Sequence, residues 1–193
     1  MYWQVYLHKT AVACEKVLVN TLLRAKDLTR QGIEIFASPA LKYFLQNEVD
    51  AEWFASHEEA LRMYEDLDDS DIWSAMKAWK YSDDRILSTL ATDMLDRRLF
   101  KVEVNEEPVS EERIGELVTR IAKRMNISET NAQRYMMSVN TIQKDMYNVD
   151  DDSITILYKD GKTKDISEAS ELLNVQLLSK KIRKYYLCYQ RFE

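Results

Sequence analysis

The chain is 193 residues long, enough for one domain or two small ones with a buried core. Its 46% hydrophobic and 31% charged residues suit a globular protein, and only 3 glycines and 2 prolines favour long helices over a many-stranded β fold. A net charge of −6 argues against broad nucleic-acid binding, which needs a positive surface, but leaves room for a local basic cluster around one nucleotide.

The segment from Tyr2 to about Leu28 reads as one long helix. Val5, Val12, Val17, Leu18 and Leu22 interleave with Lys16, Arg24 and Lys26, and no Gly or Pro interrupts. No Ser, Thr, Asp or Asn precedes Tyr2 to cap it, so the aromatic opening reads as helix interior. Gly32 marks the stop, and Ser38-Pro39 opens a short helix to about Gln46. Ser56-His57-Glu58-Glu59 reads as a capping box, with Ser56 as cap, for a helix to about Leu67. Asp68 and Asp71 start the next, carrying Ile72, Trp73, Met76 and Trp79. Ser82 is the expected cap of a fifth, through Leu87, Leu90 and Leu95.

Near Arg98 to Val104 the apolar period shortens to two, as in a strand. Pro108 and Ser110 begin a helix ending near Met125, and Ser128 caps a short one to about Tyr135. Ser153 to Ile166 reads as a hairpin turning at Asp160-Gly161. A small helix from about Ile166 to Leu173 and a last strand, Ile182 to Tyr189, finish the chain. The expected fold is mainly α: a helical portion, 1–105, followed by a small α+β portion, 106–193, with its β-hairpin.

Cys14 and Cys188 stand in no metal-ligand spacing and read as reduced core thiols. No apolar run approaches the ~20 residues needed to span a bilayer, and no signal-peptide pattern opens the chain. The expectation is a cytoplasmic protein with no membrane or nucleic-acid partner.

Only His8 and His57 are available as imidazole ligands, and neither is followed by Asp. The chain itself is therefore expected to hold no metal and no catalytic residue. The acidic run Asp66, Asp68, Asp69 and Asp71 lacks the glycine and the glutamate of a calcium loop, and reads as helix capping. There is no phosphate-binding glycine loop and no nucleophile elbow. In one continuous helix, Tyr2, Tyr6 and Lys9 share a face and His8 points roughly 160° away from Tyr6. Phenols beside an ammonium suit a nucleotide, the rings packing on base or sugar and Lys9 pairing a phosphate. An aromatic stripe at this spacing equally suits an ordinary core.

Three anchors carry a family resemblance. They are Tyr6-Leu-His-Lys9 with the downstream Ala25-Lys26-Asp27; Asp69-Ser-Asp-Ile72 with Arg97-Arg98-Leu99-Phe100-Lys101; and Leu178-Ser179-Lys180 with Lys184-Tyr185-Tyr186-Leu187-Cys188-Tyr189. In this order they resemble the C-terminal portion of HD-domain deoxynucleoside triphosphate triphosphohydrolases, the dGTPase-like family. The resemblance implies helices continuing an HD domain whose divalent metal site, of unspecified metal, lies upstream of Met1. It implies substrate contact by Tyr2 and Tyr6, and effector-phosphate contact by His8 and Lys9. It also implies the upstream half and further copies of the chain as partners. Leu7 stands where that family often has Gln, and Tyr2 where it has a substrate-facing His. The other reading of the same residues is a non-catalytic nucleotide- or protein-binding module from a degenerate HD protein.

Overall fold

The computed structural model describes residues 7–144, 155–165 and 182–192. Among these are eight helices and five strands, so the protein is mainly α with a small β part. They fall into two compact units that interleave in sequence: 1–103, 109–139 and 187–193 in the first, 104–108 and 140–186 in the second.

Helix α1, Lys9–Arg30, is the longest element and buries Ala13, Val17, Thr21, Ala25 and Leu28, a stripe at helical spacing. It does not run on from Tyr2 as the sequence suggested. His8 is extended (φ −61°, ψ 139°) and is the N-cap, its Nδ1 accepting the Thr10 amide at 3.2 Å. The far end closes on Gly32 (φ +79°), with Ile33 N–H on the Leu28 carbonyl and Gly32 N–H on that of Thr29. Those two bonds satisfy carbonyls that the helix leaves orphaned.

Helix α2 (Pro39–Gln46) starts at the expected Ser38 cap, and α3 (Ala51–Ser56) at Asp50, which the sequence reading passed over. Ser56 does not cap the next helix. It ends α3, its Oγ donating to the Glu52 carbonyl, and His57 precedes α4 (Glu58–Asp66) without a side-chain cap bond. Helix α5 (Asp69–Trp79) has the full Asp68/Asp71 capping box, and the acidic run is spent there as expected. Helix α6 (Arg85–Leu95) is capped by Asp84, with Ser82 two residues back, its Oγ accepting the Asp84 amide. Helix α1 packs on α2, α6 and α8, and α6 also packs on α5.

Strand β1 (Lys101–Asn105) leads to α7 (Glu111–Met125), whose Leu117, Val118, Ile121, Ala122 and Met125 form one buried stripe. Helix α8 (Glu129–Tyr135) follows from the Ser128 cap and packs on α7. Strand β2 (Met137–Lys144) comes directly after it, with only Met136 between. Strands β1, β5 (Ile182–Tyr189) and β2 form a sheet in the order β1-β5-β2. The central strand buries Tyr186, Leu187, Cys188 and Tyr189 consecutively, as a strand covered on both faces does.

The second unit contains the hairpin β3 (Thr155–Leu157) and β4 (Thr163–Asp165), paired antiparallel with Leu157 opposite Thr163. Its turn is longer than a two-residue Asp-Gly loop. Tyr158 N–H bonds the Lys162 carbonyl, leaving Lys159, Asp160 and Gly161 (φ +81°) as a three-residue loop with its glycine left-handed. The expected helix at 166–173, and Tyr2, Val5 and Tyr6, lie outside the described residues. No helix among the described residues is long and apolar enough to cross a membrane.

Candidate functional site

The start of α1 opens one side of a cleft of about 980 Å³, lined chiefly by apolar groups. His8, Thr10, Ala11 and Cys14 come from the cap and first turns of α1, Trp73 from α5, Met94 and Leu95 from the end of α6, and Arg97 and Leu99 from the segment after it. The volume falls in the range of small-molecule sites, which are apolar with a few placed polar groups. Here the polar groups are an imidazole and a guanidinium.

His8 is exposed. Because its Nδ1 accepts the Thr10 amide, the neutral ring carries its proton on Nε2, which is then a donor. Lys9 is the first residue of α1; it is exposed and does not line the cleft. His8 and Arg97 both line the cleft. Residue 8 is extended rather than helical, and the direction expected for Tyr6 relative to it lies outside the described residues. Tyr2 and Tyr6 lie outside the described residues.

Arg97 is held by local geometry. It follows the Asp96 cap of α6 with φ at 58°, a left-handed conformation that side chains with a Cβ rarely adopt. The turn closes as Arg98 N–H bonds the Asp93 carbonyl at 2.8 Å. Trp73 is 43% exposed, a large indole left at the cleft wall. Guanidinium, indole and imidazole together offer a charge for a phosphate and a plane for a base, and they form no acid–base pair for bond cleavage.

Two networks fix the helices that carry these groups. The Arg24 guanidinium meets the Asp84 carboxylate at 2.6 and 3.0 Å, tying α1 to the cap of α6. Burial pushes the Asp84 carboxyl up, but Arg24 and the Leu87 and Ile86 amides outweigh it and hold it below the usual range. Asp27 accepts from the Tyr135 hydroxyl and from Arg134, both at 2.7 Å, tying α1 to α8. Asn20, buried, donates to the Tyr135 carbonyl at 2.8 Å. Asp27 stood in a quoted anchor, but nothing in the sequence signalled a partner over a hundred residues away.

His57 stands apart from the cleft lining, its ring stacked on Trp53 at 3.9 Å and its Nδ1 at 3.1 Å from the Trp53 carbonyl. Among the described residues no group of three or more His, Cys, Asp or Glu is placed to hold a metal ion.

No family model matches the chain. It is 52% identical to a phosphohydrolase from Bacteroides thetaiotaomicron VPI-5482 of known crystal structure, with a TM-score of 0.90 over 99% of this chain and 47% of that one. It is 34% identical over 106 residues to the uncharacterized protein YwfO of Bacillus subtilis (strain 168), covering 54% of this chain and 22% of that protein. The chain therefore spans about half the length of the solved relative and about a fifth of the curated one. A relationship to a phosphohydrolase runs through nearly its whole length.

Proposed function

We propose that the chain is the C-terminal, non-metal-binding part of an HD-superfamily phosphohydrolase acting on deoxynucleoside triphosphates. The observation that carries the reading is the 52% identity to a phosphohydrolase of which the chain spans 47%. The Tyr6-Leu-His-Lys9 and Arg97 to Lys101 segments support it, because they resemble the triphosphohydrolase pattern and because His8 and Arg97 meet in one cleft. A divalent metal, held by residues upstream of Met1, would supply the activated water. This chain would supply binding: Tyr2 and Tyr6 against the nucleoside, and His8, Lys9 and Arg97 around the phosphates of a substrate or effector. Trp73 would give an apolar wall, and packing between copies would complete the assembly.

A chimera tests this. The chain is fused behind the remaining part of the Bacteroides phosphohydrolase and assayed with Mn²⁺ and a panel of deoxynucleoside triphosphates. The expected result is release of triphosphate and nucleoside, lost in Tyr6→Ala and weakened in Arg97→Gln. A folded chimera that hydrolyses only phosphomonoesters overturns the substrate assignment. A folded chimera that binds nucleotide without turnover supports instead the non-catalytic nucleotide-binding module.

A further inference from the structure

The linker between α1 and α2 reads Ile33-Glu34-Ile35-Phe36-Ala37, rich in the β-branched and aromatic residues of strands, yet it forms neither strand nor helix. It is fixed at both ends, by left-handed Gly32 after α1 and by the Ser38 cap of α2. Between them the buried Trp79 indole of α5 donates to the Phe36 carbonyl at 2.8 Å. The main-chain N–H groups of Glu34, Ile35, Phe36 and Ala37 make no hydrogen bond among the described residues. The Ile33 and Phe36 side chains are 47% and 55% exposed.

This segment forms one wall of a cleft of about 450 Å³ within the first unit, and residues 78–84, from the end of α5 to the cap of α6, form the other. Tyr81, 82% exposed, lines it together with Ile33 and Phe36, so three large apolar groups are open to water in one concavity. Single exposed apolar residues are ordinary, but several gathered in one groove mark a place where something docks. The charge of the cleft is one-sided. Glu34, Asp83 and Asp84 line it and no cation does. Asp84 is spent on Arg24, whereas Glu34 and Asp83 are exposed and have no ion-pair partner among the described residues.

We propose that this cleft docks a segment of a partner protein in which arginine or lysine alternates with apolar residues. Charge complementarity selects the occupant: two carboxylates without counter-ions call for cations, and the Tyr81 ring offers a face on which a guanidinium stacks. Apolar residues between those cations cover Ile33 and Phe36. The open N–H groups of 34–37 are donors for the partner's main-chain carbonyls, as when a peptide pairs with an exposed backbone edge. A small free cation would use the carboxylates and leave that main chain and Phe36 uncovered. The cleft shares no lining residue with the His8–Trp73 cleft and takes no part in the hydrolase reading, so either can fail without the other.

Fluorescence anisotropy of the full chain with a labelled heptapeptide of alternating valine and arginine, at physiological ionic strength, tests this. The expected result is saturable binding, at least tenfold tighter than that of the same peptide with serine in place of arginine. Binding should weaken at least tenfold in the Glu34→Gln/Asp83→Asn double variant and in Phe36→Ser. All three of those residues are exposed, so the fold survives their replacement. Binding should be unchanged in Glu65→Gln/Asp66→Asn, two exposed acids outside the cleft. Absent binding, undiminished binding in the first double variant, or the same loss in the second overturns the proposal. Equal affinity for arginine amide alone overturns it too, by showing a small-cation site. Sedimentation at several concentrations checks the remaining occupant: a parent chain that self-associates and turns monomeric in Phe36→Ser assigns the cleft to a second copy and overturns the partner protein.

Discussion

Arg97 shows how a single residue can work against local stability to serve a site. Its φ of 58° costs about 1 kcal/mol or more for a residue with a Cβ, and glycine is the usual occupant of such a helix-ending position. Arg97→Gly should therefore raise stability by a few tenths to about 1 kcal/mol in urea unfolding, while Arg97→Ala, which keeps the strain, should not. Both variants should weaken nucleotide binding, measured by fluorescence of Trp73. Equal stability in all three proteins would remove strain as the explanation. The cysteines make a second contrast. Burial pushes the Cys188 thiol up to about 11, while Cys14 is half-exposed, its Sγ 3.9 Å from the Met94 sulfur. At pH 8 a thiol reagent should modify Cys14 in the native chain and Cys188 only after unfolding, as peptide mapping would show.

At the level of elements, what could be read in the sequence was what depends on near neighbours. Proline at the start of α2, the Asp68/Asp71 box, Ser110, Ser128 and the bounds of β5 all rest on local rules, and the structure follows them. The exceptions are cases where two local signals competed. Ser56 bonds back into α3 because Asp50 had already started a helix there, and Asp84 displaces Ser82 because a carboxylate can also hold Arg24. Strand β2 went unread because it leaves α8 with no glycine or proline to mark the change. The same distinction governs burial along α1: Val12 and Val17 are buried as their spacing suggests, but Leu22 is only half-buried. Truncating Leu90 of α6, wholly buried, should cost about 2–5 kcal/mol, and Leu22→Ala clearly less.

Asp84 carries the pH dependence of this part of the fold. Its carboxyl is held below the usual value of about 4, so its contribution is fully present above that pH and is lost as pH falls through the depressed value. Asp84→Asn keeps a cap oxygen but leaves Arg24, only 11% exposed, without its counter-charge. The variant should lose about 2–4 kcal/mol at pH 7 and show a flatter decline of melting temperature below pH 4. An acid limb as steep as in the parent chain would place that titration elsewhere.

Across the whole molecule, the candidate sites were the least legible part, because each is assembled from elements remote in sequence. His8 could be picked out by motif, but it meets Trp73 across four intervening helices and Arg97 across six. What the sequence does constrain is the chemistry the chain can perform alone. It has two histidines, one of them the α1 cap and the other stacked on Trp53, and a metal-dependent phosphohydrolase needs several imidazoles and carboxylates around one ion. Incubated by itself with Mn²⁺ or Mg²⁺ and deoxynucleoside triphosphates, the purified chain should release neither triphosphate nor phosphate. Turnover that survived purification and disappeared in Tyr6→Ala would show that the chain is catalytically self-sufficient. Binding without turnover, read in the same preparation by titration with inorganic triphosphate, is the expected outcome.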